Sequence, residues 1–339
     1  MQSNRINWID WAKSICMFFV ILGHCHIKDS QILIVQYIYS FHMPLFFMLS
    51  GILCKSSFSL TSLKKDIRFL LIPYVVYGSM LILFHSVTSH TYNFFYLYTN
   101  ILVLLKGYDA SVGPIWFLFA LFFIKQFFYC CKAILKRHYY IYMFIFVISF
   151  FPVVFIRTYN VHLPFFLGSA FCGLPFFLIG NMSKNFLNKE ILFLNKRLLF
   201  LLIALTFVIS SALCYYNGAI DISSCSYGTN IFIFYIDSLL GCSFLILICF
   251  LLNNVKFNYV IITSYGTIVT LGLGGYFLSL FHYYIPHFLG YSFQTYNVII
   301  ALFFSVMSHY FCYCMIILLD RNLYFPFGLK GNMVNKIIK

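Results

Sequence analysis

Charge is what this 339-residue sequence has least of. Asp, Glu, Lys and Arg together make up 9% of it, and only 8 residues are acidic. An ordinary globular domain carries about 25% charged and ~45–50% apolar residues, whereas here the apolar share is 62%. So few charges cannot cover a water-soluble surface, which excludes a soluble fold and places the chain in lipid. Also missing are a linker, a low-complexity tract and an internal repeat, so residues 1–339 read as one integral-membrane domain. The absent repeat argues against inverted-repeat transporter folds.

Motifs are absent too. There is no CxxC pair, no G-x-S-x-G, no P-loop and no zinc signature, so no metal site is expected. Seven of the 12 cysteines, namely Cys16, Cys54, Cys172, Cys242, Cys249, Cys312 and Cys314, lie inside apolar runs and read as small core residues. Only Cys214 and Cys225 fall near one outer loop, where a disulfide stays open. Gly272, Gly274 and Gly275 follow no strand, which excludes a dinucleotide site and leaves close helix packing. The apolar stretch Ile15 to Gly23 is no signal peptide: Asp10 and Lys13 interrupt its approach and no small-residue cleavage site follows.

What is there is long apolar runs rich in Phe and Tyr, 44 and 27 of them. A β-barrel would alternate apolar and polar positions over ~10-residue segments; these runs are unbroken, so they are helices. Runs of spanning length are Trp11 to His26, Ile38 to Cys54, Ile67 to Phe84, Ile115 to Cys131, Tyr139 to Ile156, Phe165 to Met182, Leu198 to Tyr215, Ile231 to Leu252, Val260 to Tyr284 and Val298 to Leu319. A further apolar piece, Asn93 to Leu105, is too short to cross a ~30 Å core at ~1.5 Å per residue, so it lies in the interface or re-enters.

The cations orient these runs. With the N-terminus inside, inner connections hold Arg5; Lys55, Lys64, Lys65 and Arg68; Lys132, Lys136 and Arg137; Lys184, Lys189, Lys196 and Arg197; Lys256; and Arg321, Lys330, Lys336 and Lys339, most of the 22 in the chain. Outer connections hold Lys28, Lys106 and Arg157, while Lys13 and Lys125 fall within helices. This is the positive-inside bias, satisfied by an all-α polytopic bundle of about ten transmembrane helices with both termini cytoplasmic. The net charge of +14 is therefore topological, and nucleic acid is excluded as a partner because the cations form no face of a folded body.

Ionisable groups inside a span are costly, and each is a functional hypothesis. The first run concentrates them: Asp10, Lys13, His24 and His26. Lys13 and His24 are eleven residues apart, so at ~100° per residue they share one helix face, about 16 Å apart along the axis. A cation near the inner surface and an imidazole near the outer one sit on a single line. Histidine suits general-base work near neutral pH and can carry an acyl group. His24 and His42 both fall toward the outer half and can face one site. Lys65 and Arg68, three apart at a helix entrance, can clamp phosphates or another anionic group. Asp237 lies in the eighth run with no cation near it in sequence, and His282, His287 and His309 lack ligand spacing.

The first 80 residues carry a resemblance. Trp8-Ile9-Asp10-Trp11-Ala12-Lys13, followed by Val20-Ile21-Leu22-Gly23-His24, resembles the opening of the integral-membrane acyltransferase-3 family, especially its fucose O-acetylase-like branch. Phe41-His42-Met43-Pro44 through Leu49-Ser50-Gly51 is similar to the family's next segment. Lys65, Arg68 and Ile72-Pro73-Tyr74 resemble the basic entrance to its third helix, Gly113 to Leu118 its fourth and Leu174 to Gly180 its sixth.

The resemblance implies an O-acetyltransferase that takes an acyl group from cytosolic acetyl-CoA and places it on a hydroxyl of a surface polysaccharide or lipid-linked sugar. Acetyl-CoA is then a substrate, with no permanently bound cofactor, and the location is a bacterial-type inner or plasma membrane. It further implies His24 as catalytic base or transient acyl carrier, and Lys13, Lys65 and Arg68 on the donor's anionic part. Lys65 stands where the family has arginine. His42, Asp10 and Trp116 are expected on the substrate. Where this branch tends to carry a histidine after the Gly-Thr segment, the first here is His282. The competing class is a multi-pass transporter or flippase for a glycan precursor or small acidic solute, distinguished by ionisable groups at the midplane of broken helices.

Overall fold

The computed structural model describes residues 5–54, 58–88, 93–107, 110–134, 138–159, 161, 163–189, 195–288 and 295–338. Lys55, Lys136, Arg137 and Lys339, read above as orienting cations, lie outside the described residues. The helices are α1 (Asn7–Gly23), α2 (Ile32–Leu53), α3 (Leu60–Asp66), α4 (Ile72–Thr88), α5 (Phe94–Lys106), α6 (Trp116–Ile134), α7 (His138–Tyr159) and α8 (Leu167–Lys189). After α9 (Lys196–Asn217), a short hairpin of β1 (Ile220–Asp221) and β2 (Ser226–Tyr227) leads into α10 (Ile231–Leu251). The chain continues through α11 (Asn258–Tyr265), α12 (Thr267–Ser279), α13 (Ile285–Phe288), α14 (Val298–Asn322) and α15 (Val334–Ile338).

Each of the ten apolar runs is helical over most of its length. Among the described residues, eight helical stretches are long and apolar enough to cross a bilayer, and α11 with α12 forms a ninth that bends by 91°. The tenth run is α1, whose 17 residues extend about 25 Å. The protein is a polytopic helical bundle. Its outward faces are apolar: Phe151 on α7 is 76% exposed, and Leu201 and Val208 on α9 are 63% exposed. Only lipid tolerates such a surface.

Local chemistry starts and stops these helices. Asn93, Asn195, Asn230 and Asn297 each accept a hydrogen bond from a first-turn backbone N–H of α5, α9, α10 and α14, satisfying donors that lipid could not. Gly107 ends α5 in the left-handed region at φ 58°. At 13 residues, or about 20 Å, α5 is too short to span. It lies against α4, with Leu104 seated on Gly78 and its carbonyl accepting from the Tyr74 hydroxyl at 2.6 Å.

Two glycines set the centre of the bundle. A Cβ at Gly51 of α2 would lie 1.9 Å from the Phe177 carbonyl of α8, and one at Gly180 would lie 2.0 Å from the Met48 carbonyl. The two backbones therefore touch, as small residues allow in membrane helices, and Asn181 Nδ2 donates to the Gly51 carbonyl at 3.0 Å. This crossing holds α2 beside α1, α8 and α10. The break between α11 and α12 sits at Gly266, where a Cβ would meet Ile316 at 2.3 Å.

Candidate active site

His24 is the residue at which α1 stops. Its backbone N–H still bonds the Val20 and Ile21 carbonyls, and the chain then turns and ties to the entrance of α14 through Tyr296 N to His26 O (2.8 Å) and Lys28 N to Tyr296 O (3.0 Å). The preceding Gly23 has no side chain to obstruct Tyr39, whose ring would lie 2.9 Å from a Cβ there. The Tyr39 hydroxyl consequently approaches His24 Nδ1 to 3.4 Å. On its other side the Tyr39 ring meets His42 edge-on, centroids 5.1 Å apart.

His42, buried in α2, donates from Nδ1 to the Ile38 carbonyl at 2.7 Å. A carbonyl can only accept, so the proton of the neutral ring is on Nδ1 and Nε2 carries the lone pair. Likewise, in the His24 tautomer whose Nδ1–H donates to Tyr39, Nε2 is the basic atom.

These rings line a cavity of about 160 Å³ together with Met43, Gly113, Pro114, Trp116, Asp221, Ile222 and Ser223. Asp221 comes from β1. Its carboxylate accepts from Ser223 N (2.9 Å), Ser223 Oγ (2.6 Å) and Ser224 Oγ (3.0 Å), so its own turn orients it. The hairpin is fixed to the bundle by Ser169 Oγ donating to the Ile222 carbonyl (2.8 Å) and Arg157 donating to the Gly228 and Thr229 carbonyls. Cys214 and Cys225 beside it are free thiols. Two imidazoles, a phenol and a carboxylate in one cleft form an acid–base set.

A second cavity, of about 260 Å³, shares His24, Gly113 and Pro114 with the first. It lies between α4 and α12, whose residues supply most of its remaining lining.

At the opposite end of α1 lies a larger cavity of about 540 Å³ whose charged lining is Arg5, Asp10, Lys13, Lys184 and Lys330. Asp10 is committed: Arg5 Nε and Nη2 each donate to it at 3.2 Å, and Ser264 Oγ at 2.5 Å. Its charge cancels that of Arg5, and Lys13, Lys184 and Lys330 give the cavity a net positive potential. The chain beyond α14 closes one wall. Asp320 accepts from the Tyr265 hydroxyl (2.6 Å), Val334 N (2.9 Å) and, through its carbonyl, Asn332 N (3.1 Å), and Lys330 N donates to Tyr265 (2.8 Å). Such a cleft attracts a polyanion.

Comparison with known families gives one match: the model described as an acyltransferase domain matches residues 6–318. The chain belongs to the acyltransferase-3 family. It is a membrane enzyme that transfers acyl groups. No curated protein and no solved structure matches it.

In this acyltransferase the predicted residues divide between the two ends. His24, His42 and Trp116 share the smaller cavity, and Asp10 and Lys13 share the cationic one. Arg68 is not in the lining of that cavity: its guanidinium lies 5.2 Å from the ring centroid of the adjacent Phe69, a lining residue, and 4.9 Å from that of Phe325. Lys65 is exposed and lies off the lining. Among the described residues no group of three or more His, Cys, Asp or Glu is placed to hold a metal.

Sequence reading missed Tyr39, Asp221, Arg5, Lys184 and Lys330 as lining residues. Tyr39 had a signal, since it precedes His42 by three and so shares its helix face. The cations had none, because each also served the positive-inside bias. Asp237 and His282 belong to neither polar cluster. Asp237 is wholly buried in α10 with neither carboxylate oxygen hydrogen-bonded among the described residues, and His282 packs on Tyr296 at 4.3 Å. For the acyltransferase, Tyr39→Phe is expected to lower kcat about tenfold, the worth of one hydrogen bond to a ring that gains charge, with donor KM unchanged in steady-state assays.

Proposed function

We propose that this acyltransferase moves an acetyl group from cytosolic acetyl-CoA to a hydroxyl of a surface polysaccharide or lipid-linked sugar in a bacterial-type inner membrane. One observation carries the reading: a single helix, α1, presents Lys13 in a cationic cavity at one end and His24 in an acid–base cleft at the other. The positive-inside bias puts the cationic cavity on the cytosolic side, where coenzyme A is available. Its phosphates match Lys13, Lys184 and Lys330, and Arg68, packed against the lining residue Phe69, adds positive charge nearby.

At the other end, His24 removes the proton of the acceptor hydroxyl as its oxygen attacks the thioester carbonyl. The carbon–sulfur bond breaks and the coenzyme A thiolate leaves. In the covalent variant, His24 first takes the acetyl group with loss of the thiolate; the sugar oxygen then takes it from the ring as the carbon–nitrogen bond breaks, and the hydroxyl proton passes to the freed ring nitrogen. Tyr39 holds the imidazole, and His42, Asp221 and Trp116 meet the sugar, whose polyol matches alternating donors and acceptors. An acceptor on the outer face and a donor on the inner one fit the ~16 Å offset along α1.

The test is the O-acetyl content of surface glycans, by mass spectrometry, in wild-type, deletion and His24→Ala cells. Loss in the last two supports the reading; equal acetylation in all three removes it. Lys13→Ala is expected to raise KM for acetyl-CoA about tenfold, as loss of a charge-assisted contact does. The wild-type advantage should shrink in high salt. An unchanged KM at low salt would move the donor elsewhere.

A further inference from the structure

Two cavities meet at His24, and their linings differ. The one already described offers Asp221, Ser223, Tyr39 and His42. The other, of about 260 Å³, is walled mainly by the apolar side chains of Leu81, Phe84, Ile115, Leu271 and Leu278 and the ring of Tyr77, with His85, Tyr276 and Ser279 completing its lining. A sugar needs hydrogen-bonding partners on most of its edges; an alkyl chain needs none. The wall at Tyr77 also leads toward the donor side. Tyr77 packs edge-on against Phe327 at 5.6 Å, and the next residue, Gly328, lines the cationic cavity. The two cavities are thus linked through one aromatic contact in their walls.

We infer that this second cavity holds the alkyl end of the acyl group while its carbonyl faces His24, and that Gly275 sets the chain length the enzyme accepts. The inference rests on the reading of His24 as the transfer residue. A methyl group fills about the ~30 Å³ of one water, so an acetyl group leaves most of the 260 Å³ vacant. Room remains for a chain several carbons longer.

Gly275 is the lining position where this can be tested. Its neighbours explain themselves by packing: a Cβ at Gly272 would strike the Tyr77 ring at 2.3 Å, and one at Gly274 would touch Ile21 at 3.0 Å. Gly275 is exposed at the rim of this cavity, and a Cβ there would meet no atom within 4 Å. The close-packing role expected of the three glycines therefore holds for two and fails for the third. Within a helix, glycine is less favourable than alanine or leucine, so a larger side chain at 275 improves the helix and projects into open space. Its effect falls on what occupies that space.

The experiment uses inverted membrane vesicles from cells expressing the full chain, given an equimolar mixture of acetyl-CoA and butyryl-CoA. The ratio of butyryl to acetyl esters on vesicle glycan is read by mass spectrometry; being a ratio, it is independent of expression level. Wild type should transfer butyryl at no less than about a tenth of the acetyl rate. Gly275→Leu should lower the ratio by at least about tenfold, since one methylene in an apolar pocket is worth about 10- to 200-fold in discrimination. Gly275→Ala should lower it less. Should Leu block both donors, Gly275→Ala decides: a shift toward acetyl supports the assignment and an unchanged ratio overturns it. An unchanged ratio in Gly275→Leu overturns it directly, as does a wild type that excludes butyryl. Absence of transfer from either donor by wild type overturns the reading of the site itself.

Discussion

His24→Ala is expected to lower kcat/KM for acetyl transfer about 10³-fold, within the 10²–10⁴ that a positioned base contributes, with donor affinity unaltered. The asymmetry follows from geometry: the cationic cavity and His24 stand at opposite ends of α1, so removing the imidazole leaves the donor's phosphates their partners. Steady-state kinetics in vesicles with varied acetyl-CoA separates the two parameters. A variant that keeps more than a tenth of the wild-type rate would dismiss His24 as base or carrier. Direct transfer and the covalent route part in one further measurement. Labelled acetyl-CoA without acceptor leaves label on wild-type protein only if the ring carries the group, and none on His24→Ala.

Asp66→Ala is expected to cost about 3–5 kcal/mol of stability, the usual result of removing one partner of a buried ion pair. Asp66 closes α3 and is buried. It accepts from Lys125 Nζ and, at 3.1 Å, from Gln126 Nε2 of α6. Without the carboxylate, the Lys125 ammonium faces the bundle uncompensated, while Lys125→Met together with Asp66→Ala should recover most of the loss. Thermal unfolding of the four members of the cycle in detergent reads the coupling. A single-variant loss below about 1 kcal/mol would show that the pair is effectively solvated. The pair also bears on the site, because Asp66 leads straight into the π-helical turn Ile67–Leu71 that carries Arg68.

Neither member of that pair was recognisable in the sequence as half of one. Lys125 stood alone in an apolar run, Asp66 stood in a basic cluster, and 59 residues separate them. The same holds at the two cavities. The shared face of Lys13 and His24 follows from helical pitch, which is local, so sequence alone supplied it. Lys65 and Arg68 were paired on the same local logic. Yet the turn at Ile67–Leu71 leaves Lys65 exposed and folds Arg68 between Phe69 and Phe325, 257 residues apart from the arginine in the latter case. Asp221 reaches the imidazoles only because a hairpin between α9 and α10 is pinned onto α8.

By itself the sequence determined the medium, the helical class and the positions of the apolar helical runs, eight or nine of which are long enough to cross a bilayer among the described residues, because hydropathy and the cost of unpaired backbone in lipid act along a single segment. It also carried the family, through blocks of adjacent residues. Tertiary structure decided which cations converge on one cavity, which partners stand around His24 and which glycine faces open space. Those outcomes depend on how backbones approach across the bundle, as at Gly51 and Gly180, and contacts between distant segments have no periodicity that a single run of residues can display.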